Sequence, residues 1–128
     1  MASPSPAPGQ TNLGVAPNVG GLLCYVPCCI GFIFSVVAAI VEKQSKFVRF
    51  HAFQSLLLHA AAFVCSLGVQ VASMAAAMAS GFLGFLVSLI GMVIGLGLLG
   101  LCIFLMIKAN NNEEIELPVI GEMARKWA

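Results

Sequence analysis

Three long apolar runs leave this chain little choice of fold. "GLLCYVPCCIGFIFSVVAAIV" covers residues 21–41, a second run extends from Phe50 to about Ala77, and "FLGFLVSLIGMVIGLGLLGLCIFLMI" covers 82–107. At a rise of about 1.5 Å per residue, about 20 apolar residues in a helix cross the hydrocarbon core of a bilayer. Within that core only a helix or a closed barrel satisfies its backbone hydrogen bonds. The runs therefore predict an all-α membrane protein, a three-helix transmembrane bundle whose two longer helices tilt or protrude. The charge content agrees. Only 9% of the 128 residues are charged, against about 25% in a soluble domain.

Flanking composition sets the boundaries. Residues 1–20, "MASPSPAPGQTNLGVAPNVG", are uncharged and rich in proline and small polar residues, which predicts a disordered tail. Lacking basic residues, this stretch does not read as a cleavable signal peptide, so the first helix is expected to be retained. Residues 21–108 form the expected transmembrane domain and 109–128 an amphipathic tail. Lys43, Lys46 and Arg49 follow the first run, and Lys108, Arg125 and Lys126 follow the third. With three spans these two regions share a side, so the positive-inside rule predicts a cytoplasmic C-terminus and an N-terminus outside.

Polar chemistry gathers in "SKFVRFHAFQS", residues 45–55. Lys46 and Arg49 at a helix mouth, with Phe47 and Phe50 at the headgroup level, suit contact with lipid phosphates. The five donors of Arg49 equally suit a bundle of helix-terminal carbonyls. His51 and Gln54 follow. At about 100° per residue, His51, Ser55, His59, Ser66, Gln70 and Ser73 fall within one arc of about 100°, from which Gln54 stands apart. Such a seam faces protein or water, because polar groups in hydrocarbon are costly. It is either a row of interhelical hydrogen bonds or a hydrated path with His51 and His59 as a relay.

In the third run Gly84, Ser88, Gly91 and Gly95 recur at spacings that make one nearly side-chain-free face, suited to close packing within the chain or between copies. In the last segment Pro118 is placed to open a short helix, with Glu113, Glu114 and Glu116 near its positive end. Val119, Ile120, Met123 and Trp127 then follow helical spacing. This predicts an interfacial helix anchored by Trp127, or a docking helix for a cytoplasmic protein partner.

Catalysis finds no footing. The chain has no nucleophile elbow, phosphate loop, paired carboxylates or HExxH motif. Cys24, Cys28, Cys29, Cys65 and Cys102 lack the tight loop spacing of a zinc site and read as small buried hydrophobes, so no metal or cofactor is expected. A net charge of +1 without a basic stripe argues against nucleic-acid binding.

Two stretches carry a resemblance. "LLCYVPCCIGFIFSVVAAIVEKQSKFVRFHAFQSLLL", residues 22–58, with Tyr25, Pro27 and the phrase "FVRFHAFQS", and "LPVIGEMA", residues 117–124 with Pro118, Ile120 and Gly121, resemble a bacterial family of small membrane proteins. That family is related to the twenty-kilodalton membrane subunit of the chloroplast Tic import translocon and includes the MamF-like proteins of magnetosome membranes. The resemblance implies a multi-pass protein of the bacterial inner membrane or of an internal membrane derived from it. It further implies a self-associating scaffold or assembly role, the alternative being a subunit of a protein- or ion-conducting pore.

Overall fold

A computed structural model describes residues 11–27 and 29–128, all of them in helices, turns and coil. The helices are α1 (Pro17–Leu23), α2 (Cys29–Val41), α3 (Lys46–Ala79), α4 (Gly81–Asn110) and α5 (Ile120–Trp127). Two of them, α3 with 34 residues and α4 with 30, are long and apolar enough to cross a membrane. At helical rise they extend about 51 Å and 45 Å, well beyond a hydrocarbon core of about 30 Å.

The first apolar run departs from the expected single span. It breaks at Cys24–Pro27 into the seven residues of α1 and the thirteen of α2. Thirteen residues rise only about 20 Å, too little for a crossing. The break has a local cause. Pro27 lacks an N–H and disfavours helix in the residue before it, and Gly31 accepts the chain folding back over it, since any Cβ there would collide with the Val26 carbonyl.

The described residues form two compact units. The first takes in those up to His59 together with Cys102–Ala128; the second is Ala60–Leu101. In the first, α1 and α2 enter and return at one end. Asn12 accepts the Lys43 and Gln44 amides through Oδ1 at 2.6 and 3.2 Å, at the turn between α2 and α3. Gly20 and Gly21 then pass Val48 and Phe47, and Cys24 reaches the level of Ser55. Returning along α2, Phe32 meets His59 and Ala39 meets Arg49. Asn18 also donates to the Asn110 carbonyl at the end of α4 (3.3 Å).

One expectation is corrected here. Residues 11–16 make ordered turns and α1 begins at Pro17, inside the stretch read as a disordered tail; residues 1–10 of that stretch lie outside the described residues. Glycines at 20 and 21, which look like linker composition, are what let α1 approach α3: a Cβ on Gly21 would stand 3.0 Å from Phe47 and 3.1 Å from His51. Asn12 and Asn18 thus lie at the same end of this unit as the α2–α3 turn and the end of α4.

Candidate functional site

The polar centre of the first unit is built where α1 breaks. Tyr25 projects from the break against α3 and is fully buried, as are His51 and Gln54. The Glu113 carbonyl, 3.2 Å from His51 Nε2, can only accept, so that nitrogen carries the proton. His51 Nδ1 is then the acceptor for the Tyr25 hydroxyl at 2.9 Å. Gln54 Nε2 donates to the Tyr25 oxygen (2.9 Å) and to the Ile115 carbonyl (2.9 Å), while Gln54 Oε1 accepts the Leu117 amide (3.0 Å). Each donor meets an acceptor, which fixes every proton. Phe47 and Phe50 enclose the imidazole edge-on at 4.6 and 5.2 Å between centroids.

These bonds hold a strap. Helix α4 ends in a Schellman motif, with Asn112 left-handed at φ 61° and the Glu113 amide reaching back to Lys108 O. Residues 113–117 then cross α3 in reach of His51 and Gln54. Arg125 of α5 pairs with Glu114 (2.6 Å) and Glu116, and lies 4.4 Å over the Phe50 ring. Burial works against the Arg125 charge, yet the Glu116 and Glu114 carboxylates outweigh it and hold its pKa above the ordinary guanidinium value. Glu113 pairs with Lys108 at 3.3 Å. The acidic run therefore closes ion pairs within the C-terminal part rather than facing the positive end of a helix.

Arg49 gathers carbonyls. Nη1 donates to Glu42 O (2.8 Å) and Ala39 O (3.3 Å), at the end of α2, and Nη2 to Trp127 O (3.2 Å), at the end of α5. Cations at helix C-termini complement the macrodipole, and here one guanidinium serves two. Lys46, by contrast, is exposed. Helix α5 begins at Ile120 with Val119, at φ 66°, as its cap, two residues beyond Pro118. It buries Gly121 and Ala124, while Val119, Met123 and Trp127 remain on the outer side, Trp127 edge-on to Phe53. Gly121 is required by proximity: a Cβ there would lie 2.7 Å from Gln54 Oε1 and 2.6 Å from Glu116 Cα.

The polar arc of α3 divides between the two units. Ser55 donates to the Cys24 carbonyl at 2.5 Å, and His59 is bonded to Ser55 O and packs edge-on against Phe32. In the second unit the Ser73 and Ser88 hydroxyls lie 2.7 Å apart and both reach the Gly84 carbonyl. Ser66 and Gln70 are exposed. The small-residue face of α4 also divides: Gly84 lies under Ala77 and Gly91 under Val69, whereas a Cβ at Gly95 meets nothing within 4 Å. Gly91→Leu is accordingly expected to lower thermal stability by about 2 kcal/mol through overpacking, with Gly95→Leu unchanged in dilute detergent; equal melts for the two variants would remove this distinction.

Several contributors escape a reading by periodicity. Ser35 donates to Cys24 O at 3.0 Å. Glu42, fully buried, accepts the Gln44 and Ser45 amides through Oε1 and the Asn12 amide through Oε2. Ser45 caps α3 by accepting the Val48 amide at 3.2 Å. The one available signal is a carboxylate placed three residues ahead of a capping serine.

The sequence has relatives. Residues 10–124 match the magnetosome magnetite crystal formation protein family, MamF/MmsF. The chain belongs to that family. A UPF0132 membrane protein of Methanocaldococcus jannaschii is 36% identical over 120 residues, covering 94% of this chain and 96% of the relative. One from Archaeoglobus fulgidus is 32% identical over 110 residues, covering 85% and 92%. These two relatives are archaeal membrane proteins. No solved structure matches this chain significantly.

Proposed function

We propose that this MamF/MmsF-family protein is a non-enzymatic, self-associating scaffold of a specialised membrane. It crosses the bilayer twice, through α3 and α4, and dips in once through the α1–α2 hairpin. The observation that carries this reading is the destination of its polar chemistry. Tyr25, His51 and Gln54 are bonded to one another and to main-chain groups of the strap, and Arg49 to main-chain carbonyls at the ends of α2 and α5, so the groups that could do chemistry are all engaged. Their role is to close a mouth, leaving lipid-facing and partner-facing surfaces for function. The family description, which couples such proteins to magnetite crystal formation in magnetosomes, supports work in a membrane of defined shape.

In this reading all six Lys and Arg residues lie on the cytoplasmic side with both termini, and α5 rests at that interface with Val119, Met123 and Trp127 toward lipid. A reporter active only in the cytoplasm should therefore light up when fused before Met1 and also after Ala128. A dark N-terminal fusion beside a bright C-terminal one would restore three spans and overturn the re-entrant topology. A pore is the competing function, favoured by the exposed polar groups Ser66 and Gln70 on α3. Purified protein in liposomes should self-associate without conducting ions; steady conductance would replace the scaffold by the pore.

A further inference from the structure

Resting on that self-associating reading, we propose that the hairpin of α3 and α4 pairs with a second copy of this chain through the face that carries Ser66 and Gln70. In the pair, the two Gln70 amides bond to each other across a two-fold axis.

The second unit, Ala60–Leu101, is a pair of helices with the rest of its surface open. For its apolar side chains lipid is an adequate neighbour. For an amide it is not, because hydrocarbon offers no hydrogen-bond partner. Ser73 and Ser88 answer this within the hairpin by meeting each other. Ser66 and Gln70 sit beyond that pair, exposed and, among the described residues, without a hydrogen-bond partner. Beside them opens a crevice of about 330 Å³ bordered by Ser66, Gln70, Ser88 and Gly95. At Gly95 even a Cβ would meet nothing within 4 Å, so the backbone of a neighbouring helix can come close there.

Chemistry selects the occupant. Between Phe50 and Ile107 the chain holds no Asp, Glu, Lys or Arg, so an ionic partner would find no counter-charge on this face. An acyl chain leaves the amide unsatisfied. A carboxamide, however, is donor and acceptor at once, and a second carboxamide facing it satisfies both with two reciprocal bonds. An isologous contact brings the same residue of two copies together at its axis, so a second copy supplies the matching group without any other protein.

The test uses the full chain, donor- and acceptor-labelled, in vesicles of fixed lipid composition over a range of protein-to-lipid ratios. Wild type should show energy transfer that falls on dilution. Gln70→Leu should weaken association roughly tenfold, Gln70→Asn should retain part of it, and Gly95→Leu should weaken it without changing the melt of the detergent-diluted monomer. A photo-activated cross-linking residue at Ser66 should join two copies. The same probe at Ala75, about 180° around α3 at helical spacing, should not. The cross-linking comparison decides the matter if Gln70→Leu folds poorly. Wild type that stays monomeric at every density would overturn the self-association reading together with this interface. Association that persists unchanged in Gln70→Leu, with Ser66 and Ala75 linking equally, would overturn the interface alone.

Discussion

Gln54→Leu is expected to lower stability by about 3–5 kcal/mol and to free the C-terminal strap. The leucine fits the volume but returns no hydrogen bonds. It leaves the Leu117 amide and the Ile115 carbonyl without partners and takes a donor from the Tyr25 hydroxyl, each loss costing about 1–3 kcal/mol where water cannot enter. Two measurements follow the effect: the denaturation midpoint in mild detergent, and tryptic cleavage after Lys108 and Arg125, which should quicken in the variant. A strap as protease-resistant as wild type, with an unmoved midpoint, would mean that Gln54 does not hold it.

Arg49→Ala is expected to cost about 2–3 kcal/mol, by the same amount in anionic and in zwitterionic lipid. A charge-assisted hydrogen bond contributes about 1.5–3 kcal/mol, and this guanidinium joins the ends of α2 and α5 at distances of 2.8 to 3.3 Å. Arg49→Lys should recover little, because an ammonium cannot reach carbonyls of two helices in the fixed directions of a guanidinium fork. If instead the loss appeared in anionic lipid alone, headgroup phosphates would be the true partners of Arg49, and the carbonyl contacts incidental.

Membrane residence and the helical class were legible from run length alone, because a bilayer sets a length scale that any spanning helix must meet. The break in the first run was not. Its apolar content equals that of a span, and what divides it is a geometric conflict around Val26, Pro27 and Gly31 that hydropathy does not register. Gln54 shows the same limit in the site. Placed by helical angle it stood apart from His51, yet one phenol, Tyr25, from another segment reaches both. Angles on one helix say nothing of a side chain inserted between them. The strap was hidden for a further reason: His51 and Gln54 recognise the main chain of residues 113, 115 and 117, and main-chain atoms leave no mark in composition.

The strap also imposes an order on biogenesis. A ribosome delivers α3 first, and by the time Gln54 has emerged, the segment from Glu113 onward that completes its bonds has yet to be made. During that interval His51, Gln54 and Arg49 lack their C-terminal acceptors, and must be hydrated or held by the insertion machinery. Delivery of the strap, more than insertion of α3, is then the step at which the mouth closes. A released chain truncated before residue 113 should insert both long helices and yet leave α1 and α2 loosely held against α3.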